Sequence, residues 1–396
     1  MIRGLVVPNT TKLVLLSLDG LGGLPHPDTG RSELETARIP HLHALAGRSA
    51  CGLVRHVAPG ITPGSGPGHL GLFGYDPLRY QVGRGVLEAL GIDFDLRASD
   101  VAARGNFCTV DRAGRITDRR AGRIPTELCA SLCQRLRQIR LPGVKLFVEP
   151  VKEHRFVLVL RGTGLSGELS ETDPQALGVP PRPVKALAPA ARRTAAFANR
   201  FVAAAQKGLA RQAPANMVLL RGFDRLPRLP AFPRTFGLKA AAIAAYPMYR
   251  GLARLVGMEV LKTGATFADE VATLRQHWEG YDFFFVHYKD TDKAGEDGDF
   301  PGKVAALERF DTLLPEILSL KPDVLAVTGD HASPALLKGH GWQPVPVLLW
   351  SAFCGADSVT LFTERACAAG TLGTFPAQDL MPLALANALR LTKFGA

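Results

Sequence analysis

The sequence predicts an α/β protein in which a central, mostly parallel sheet flanked by helices is interrupted by an inserted α+β domain. Two observations favour the sheet. The apolar segments at residues 12–18, 283–286 and 324–327 have the length of buried strands, and each runs into acidic or histidine residues. A third observation predicts the insertion, since between about residues 100 and 234 Arg becomes more frequent and short strands alternate with Pro-rich turns.

The elements of the core follow in order. The first strand, KLVLLSL, ends at Asp19 and Gly20. A helix is expected next, then a second strand, and then a glycine-rich turn region that ends at Gly74. After the insertion, a further strand and helix return the chain to the core sheet. The expected ranges are 39–45 for the first helix, 52–56 for the second strand, 240–244 for the later strand and 249–257 for the later helix.

The domain boundaries follow from the change of composition. With 396 residues the chain is long enough for more than one hydrophobic core. We expect a core at residues 1–97 and 236–396, and an inserted substrate-binding or lid domain at residues 98–235. The insertion should contain a strand at 155–160 and an Ala-rich helix at 190–206.

Charge and composition restrict the partners. Lys and Arg outnumber Asp and Glu by 47 to 36, but the Arg residues are spread along the chain without a basic tail, so nucleic acid is not an expected partner. Small anions suit this excess of positive charge. The sequence leaves open whether the chain forms a homo-oligomer. No apolar run reaches the ~20 residues of a membrane span, no leader precedes the first strand, and the six cysteines form no C-x-x-C pair. These features predict a cytoplasmic protein with no membrane partner.

Six residues with metal-ligand side chains follow the three predicted strands. Carboxylates and imidazoles at strand ends are held rigidly, and the carboxyl ends of strands in open α/β sheets converge on one crevice. The six are enough for two divalent metal ions, and they are Asp19, Asp292, Glu296, Asp330, His331 and His340.

Ser65 is the predicted nucleophile. It lies in TPGSGPGHLG, where glycines on both sides allow a turn that presents its hydroxyl and leaves room for a phosphate. A metal ion can activate such a hydroxyl without a Ser/His/Asp triad. A serine hydrolase is disfavoured because Pro63 stands where the nucleophile-elbow pattern G-x-S-x-G has its first glycine. His69 is a candidate for a supporting role, whereas His56 and His287 are expected to be structural.

Long ordered motifs span nearly the whole chain: SLDGLGG, GSGPGHLGLFGYDP, GRGVLEALG, NFCTVDRAGRITDRRAGRI, HRFVLVLRG, AAIAAYPMYRGLARLVGM, KDTDKAGEDGDFPGK and TGDHASPALLKGH. In these motifs the chain resembles the archaeal-type branch of the cofactor-independent phosphoglycerate mutases, within the alkaline phosphatase superfamily. The resemblance implies an alkaline phosphatase-like core and, without a bisphosphoglycerate cofactor, interconversion of 3-phosphoglycerate and 2-phosphoglycerate through phosphoserine. Such an enzyme acts in glycolysis and gluconeogenesis.

The resemblance also divides the predicted ligands into two metal sites. It implies one ion bound by Asp19, Ser65, Asp330 and His331, and another bound by Asp292, residue 296 and His340. The family commonly has His where this chain has Glu296, so the second site is richer in oxygen. Mn²⁺ or Mg²⁺ is therefore favoured over Zn²⁺ or Co²⁺.

Candidates for substrate binding are cationic or polar residues near these motifs. Arg can clamp a carboxylate or phosphate with two hydrogen bonds. We expect Lys289 beside the metal motif and His154 as a proton carrier to act in catalysis. Substrate binding is assigned to Arg104, Asn106, Arg155 and Arg250.

Three alternatives stay open at this point. A metal-dependent phosphatase or another phosphomutase of the same superfamily would use the same ligands. A regulatory protein without catalysis would lack a ligand or the nucleophile, and a nucleic-acid binder would be retained on nucleic acid in a salt-dependent way.

Overall fold

The computed structural model describes residues 2–395, and its strands include the three apolar segments that run into acidic and histidine residues. The strands in chain order are β1 (Leu13–Leu18), β2 (Ala50–Arg55), β3 (Val101–Val110), β4 (Ile116–Asp118), β5 (Lys145–Lys152), β6 (Arg155–Arg161), β7 (Met217–Asp224), β8 (Ala240–Ile243), β9 (Glu259–Val260), β10 (Phe283–Tyr288), β11 (Val324–Thr328), β12 (Val345–Ser351) and β13 (Gly373–Pro376).

Helices connect most of these strands. They are α1 (Glu33–Thr36), α2 (Pro40–Ala46), α3 (Ser65–Leu72), α4 (Arg84–Gly91), α5 (Thr126–Leu136), α6 (Arg192–Leu209), α7 (Phe232–Phe236), α8 (Pro247–Leu255), α9 (Phe267–Gln276), α10 (Asp290–Asp297), α11 (Phe300–Leu318), α12 (Glu364–Cys367) and α13 (Leu380–Asn387). Short 3-10 helices occur at Ile2–Gly4, Ala121–Arg123, Pro189–Ala191, Trp278–Gly280 and Ala377–Asp379. Among residues 2–395, no helix is both long enough and apolar enough to cross a membrane.

The core sheet has eight strands in the order β13-β2-β12-β11-β1-β10-β8-β9. Its centre is parallel, because β1 pairs in parallel with both β10 and β11, and β10 pairs in parallel with β8. Strand β12 is antiparallel to both of its neighbours. Every residue of β1, β10 and β11 is buried, which explains why their sequences are continuously apolar rather than alternating. The predicted α/β class with a mostly parallel sheet is confirmed.

The register of the three central strands brings their carboxyl ends to one edge of the sheet. Ser17 near the end of β1 is paired with His287 of β10 and with Thr328 of β11. The residues that follow these strands therefore start from the same level. Side chains from three distant parts of the sequence meet there as a result of strand pairing.

The chain folds as two compact units, one formed by residues 1–81 and 229–396 and the other by residues 82–228. The boundaries predicted from composition, residues 98 and 235, are therefore wrong by one element at each end. Helix α4 belongs to the inserted unit because Gly85 lies against the backbone of Ala102 in β3. Helix α7 belongs to the core unit because the ring of Phe232 packs on Phe283 of β10.

The inserted unit has its own antiparallel sheet. Strand β3 pairs with β6 and β7 along its length and with β4 at its end, and β5 forms the edge beyond β6. Buried residues of α5 and α6 share one hydrophobic core with this sheet, including Cys133, Phe156 and Phe201. The predicted α+β character of the insertion is confirmed, and its substrate-binding role stays a prediction.

The turn expected at Ser65 is instead the start of a helix. Ser65 is the first residue of α3, preceded by Gly64 in an extended conformation. Gly68 allows this helix to lie against the loop that follows β11, since a Cβ at position 68 would collide with the carbonyl oxygen of Asp330. The glycine at position 68 thus permits close packing of α3 against the end of β11.

Replacing Gly68 with Ala should therefore destabilise the protein by about 3 kcal/mol through steric conflict with the Asp330 backbone. Gly208 in α6 provides a matched control, because a Cβ there meets nothing within 4 Å. Gly208→Ala should be neutral or slightly stabilising, as Ala is a better helix former. Urea unfolding of both variants measures the difference, and equal stability of the two would contradict the packing described here.

Candidate active site

Two acidic residues and a histidine form the first buried cluster at the carboxyl edge of the core sheet. Asp19 directly follows β1, and Asp330 and His331 follow β11. His331 Nε2 lies 3.3 Å from Asp19 Oδ1 and 3.2 Å from Asp330 Oδ2. All three side chains are fully buried. Such a group could hold a metal ion through one atom of each residue.

Ser65 adjoins this first cluster. Its Oγ lies 3.2 Å from His331 Nε2. Because Ser65 starts α3, the hydroxyl lies at the helix N-terminus, where unpaired backbone N–H groups and the helix dipole favour an anion. The hydroxyl predicted as the nucleophile is therefore next to candidate metal ligands and next to a position suited to phosphate.

A second group of candidate ligands consists of Asp292, His331 and His340. The rings of His331 and His340 stack with their centroids 3.6 Å apart. His340 Nε2 lies 3.7 Å from Asp292 Oδ1 and also 3.7 Å from Glu296 Oε1. The Glu296 side chain is 54% exposed and lies outside the tight group, at its open side. In this structure Glu296 therefore contacts the site through His340.

Lys289 links the two carboxylate clusters. Its ammonium donates to Asp19 Oδ2 at 2.8 Å and to Asp292 Oδ2 at 2.5 Å. Burial alone would raise the pKa of Asp19, but the charges of Lys289 and the neighbouring His287 and His331 outweigh it and hold this pKa well below its usual range. Asp19 is therefore an ionised carboxylate inside the protein.

Three further residues contact the predicted ligands, and the sequence did not identify them. The hydroxyl of Tyr249 donates to Asp19 Oδ2, and His287 Nε2 lies 3.2 Å from the same oxygen. Ser333 donates to Asp292 Oδ1 at 2.5 Å and also contacts His331 Nδ1 at 3.1 Å. His287, expected to be only structural, thus orients a candidate ligand. Tyr249 lies in the motif AAIAAYPMYRGLARLVGM, but nothing in the sequence distinguishes it from a core aromatic residue.

The donor set fits divalent cations. Asp19 Oδ1 and Asp330 Oδ2 are buried without a hydrogen-bond partner among the described residues. A buried carboxylate oxygen that lacks a donor is costly, and a cation would satisfy it. Oxygen and imidazole ligands suit Mn²⁺ and Mg²⁺ as well as Zn²⁺, whereas thiolates would be expected for softer sites.

Most of the predicted substrate residues lie together in the inserted unit. Asn106 on β3 is paired with Arg155 on β6, and Arg104 is two residues earlier on β3. His154 immediately precedes β6 and is almost fully buried. Arg250, the remaining candidate, lies in α8 of the core unit.

Several polar atoms of these inserted-unit residues are buried and have no hydrogen-bond partner within residues 2–395, namely Arg104 Nε, Asn106 Oδ1 and His154 Nδ1. Burial together with Arg155, Arg104 and other nearby arginines lowers the pKa of His154 to about 3. Buried Glu88 of α4 faces the same cations, 4.0 Å from Arg104. These unsatisfied atoms and positive charges suit a small anion that also offers hydrogen bonds.

The positive charge of the chain is concentrated in the inserted unit. Residues 82–228 contain 25 Lys and Arg against 13 Asp and Glu, whereas the core unit has 22 against 23. A local excess of this sign attracts anionic ligands and raises their rate of association. The excess therefore accompanies the predicted substrate residues rather than covering the whole surface.

Comparison with known proteins identifies the family. A family model described as 2,3-bisphosphoglycerate-independent phosphoglycerate mutase matches residues 46–216. A protein from Aquifex aeolicus, described as a probable enzyme of that name, is 49% identical over 408 residues, which cover 100% of this chain and 99% of the relative. This chain belongs to the 2,3-bisphosphoglycerate-independent phosphoglycerate mutase family. The resemblance and the enzyme class inferred from the sequence motifs are thereby confirmed.

A further relative and two solved structures match this chain along nearly its full length. A probable enzyme of the same name from Thermus thermophilus is 48% identical over 400 residues, covering 100% of this chain and 98% of the relative. Among solved structures, a protein from Pyrococcus horikoshii matches with a TM-score of 0.86 and 28% identity over 98% of this chain and 100% of its own. The cofactor-independent phosphoglycerate mutase from Thermoplasma acidophilum matches with a TM-score of 0.70 and 30% identity, over 96% of this chain and 100% of its own.

The low pKa of His154 predicts a pH dependence of stability in the inserted unit. The folded pKa is about 3, below the ordinary value of about 6.5, so the unfolded chain gains the proton first as pH falls. The stabilisation that comes from neutral His154 is therefore fully present above about pH 6.5 and is lost progressively between that pH and about pH 3. At pH 5 the loss should be about 2 kcal/mol, and His154→Gln should not show it.

Hydrogen exchange of the β3 and β6 amides measures the opening free energy of this unit at pH 7.5 and pH 5. The difference between wild type and His154→Gln should shift by the stated amount in favour of the variant at the lower pH. A difference that is the same at both pH values would show that His154 is not buried in its neutral form.

Proposed function

We propose that this mutase interconverts 3-phosphoglycerate and 2-phosphoglycerate at a two-metal site, with Ser65 carrying the phosphoryl group as phosphoserine. The observation that carries the proposal is the position of Ser65 Oγ, 3.2 Å from His331 Nε2 and at the N-terminus of α3. A hydroxyl at that position is next to candidate metal ligands and faces a site where an anion is stabilised.

The metal ions would be held by the residues that the resemblance divides into two sets. Asp19, Ser65, Asp330 and His331 would bind one ion. Asp292, Glu296 and His340 would bind the other, with Mn²⁺ or Mg²⁺ favoured because oxygen ligands predominate. When bound, the ions lower the pKa of the serine hydroxyl and offset charge on the phosphoryl oxygens. The two buried carboxylate oxygens without hydrogen-bond partners support this assignment.

The first half of the reaction transfers the phosphoryl group to the protein. Ser65 Oγ loses its proton and attacks phosphorus, the bond from phosphorus to the glycerate oxygen breaks, and that oxygen takes up a proton. The positive charge of Lys289 next to Asp19 and Asp292 would offset the charge that accumulates on the transferring group. The products of this half are phosphoserine and glycerate.

The second half returns the phosphoryl group to the other hydroxyl. Glycerate turns within the site, the second hydroxyl loses its proton to a base, and its oxygen attacks the phosphorus of phosphoserine. The bond from phosphorus to Ser65 Oγ then breaks and Oγ takes up a proton, which restores the serine. Water must be excluded meanwhile, because water in place of the hydroxyl would release phosphate.

We further propose that the inserted unit binds the substrate and retains glycerate during the interval between the first and second phosphoryl transfers. Arg104 and Arg155 would hold the carboxylate, and Asn106 would contact a hydroxyl. His154 is neutral at ordinary pH because burial and the nearby arginines lower its pKa to about 3, and it would act as the proton carrier when a bound anion offsets the charge of those arginines. Arg250 of the core unit would add to phosphate binding.

The test uses purified protein with 3-phosphoglycerate and Mn²⁺, with products separated into 2-phosphoglycerate and free phosphate. Ser65→Ala should lower isomerisation by about 1,000-fold or more, because the variant lacks the attacking atom. Ser49→Ala is a control for loss of a serine hydroxyl, since Ser49 is a buried serine of the core unit whose hydroxyl donates to the carbonyl oxygen of Leu45. Retained isomerisation by Ser65→Ala would refute the phosphoserine route. Phosphate release exceeding isomerisation in the wild type would instead identify a phosphatase.

A further inference from the structure

His69 lies directly beneath the proposed nucleophile. It belongs to α3, one helical turn after Ser65, and its ring is fully buried. Its Nδ1 is 2.9 Å from the carbonyl oxygen of Ser65 and 3.1 Å from Oδ2 of Asp330. Its Nε2 is 3.1 Å from Oγ of Ser17 in β1. One ring therefore contacts α3, the end of β1 and the loop after β11.

These contacts determine where the ring carries a hydrogen. Both neighbours of Nδ1 are acceptors, a carbonyl and a carboxylate, so Nδ1 must be protonated and donates to the Ser65 carbonyl. The partner of Nε2 is a hydroxyl, which can either donate or accept. The contacts of Nδ1 thus require a donor at that nitrogen, whereas the hydroxyl at Nε2 can pair with either a donor or an acceptor.

Aromatic neighbours hold the ring in one orientation. The ring centroids of Tyr249, His287 and Phe285 lie 4.9, 5.3 and 5.5 Å from that of His69. Two of these neighbours, Tyr249 and His287, also contact Asp19. The ring is therefore part of the packing that supports the ligands, and it has no room to rotate away from Ser65.

We infer that His69 is a positioning residue for the reaction, which fixes the first turn of α3 through its Nδ1 hydrogen bond and so directs Ser65 Oγ toward the phosphoryl group. The inference rests on the proposed function, since it assumes that Ser65 is the nucleophile. A donor that orients a reacting group through a neighbouring atom typically contributes about 10-fold to 100-fold to activity. His69 does so without touching substrate.

Two amide substitutions separate this role from simple packing. In His69→Asn the amide nitrogen takes nearly the position of Nδ1, so the donor to the Ser65 carbonyl is kept. In His69→Gln the amide reaches toward the position of Nε2, so the contact with Ser17 is kept instead. Both variants remove ring volume, and both should therefore lose similar thermal stability. Ser17→Ala removes only the partner of Nε2 and serves as the control for that side.

The experiment compares kcat, KM, bound Mn²⁺ per chain and melting temperature for these variants in the mutase assay. His69→Asn should keep kcat within about 10-fold of wild type and His69→Gln should fall by about 100-fold. KM and bound Mn²⁺ should be alike in the two variants. Ser17→Ala should keep kcat within about 3-fold, because it leaves the Nδ1 bond intact.

Equal losses in His69→Asn and His69→Gln would overturn the inference, as would a loss of kcat that follows melting temperature or bound Mn²⁺. The Ser65→Ala variant distinguishes this failure from failure of the proposed function. If Ser65→Ala is inactive while His69→Gln is fully active, only the positioning role is wrong. If Ser65→Ala still isomerises the substrate, the phosphoserine route itself is wrong.

Discussion

Parallel pairing of β1 with β10 and β11 is the constraint on which the rest of the core depends. It places the residues after three strands at one edge, although those strands lie far apart along the chain. A slip of β10 or β11 by one residue would turn every side chain of that strand to the opposite face. The pairing of Ser17 with His287 and Thr328 therefore determines whether Asp19, Asp292 and Asp330 can form one site.

The site then has to contain several charges that are removed from water. Ionised carboxylates in a protein interior are costly unless they are paired or bind a cation. Lys289 donates to Asp19 Oδ2, whereas Asp19 Oδ1 and Asp330 Oδ2 lie within 3.3 Å of histidine nitrogens but accept no hydrogen bond from the described residues. This incomplete pairing favours binding of divalent cations. Tyr249, His287 and Ser333 add contacts that fix the positions of these carboxylates, the first two at Asp19 and the third at Asp292.

Much of the fold and part of the site could be predicted from local sequence. Continuous apolar runs identify buried parallel strands, and a ligand directly after such a run, as with Asp19 and Asp330, can be found from position alone. Tyr249, His287 and Ser333 could not be found in this way, because their roles depend on neighbours distant in the chain. Glycines suggested a turn at Ser65, whereas packing of Gly68 on Asp330 stabilises a helix there. The start of the inserted unit was misplaced because α4 differs little in composition from the core.

The central claim is that Ser65 carries the phosphoryl group during turnover, and acid quenching followed by peptide mass spectrometry tests it most directly. Protein mixed with 3-phosphoglycerate and Mn²⁺ and quenched within a turnover should yield a peptide that contains Ser65 and has gained one phosphate. The modification should be absent without substrate and absent in Ser65→Ala. Turnover with no phosphate on Ser65 at any quench time, or phosphate on another residue, would contradict the account.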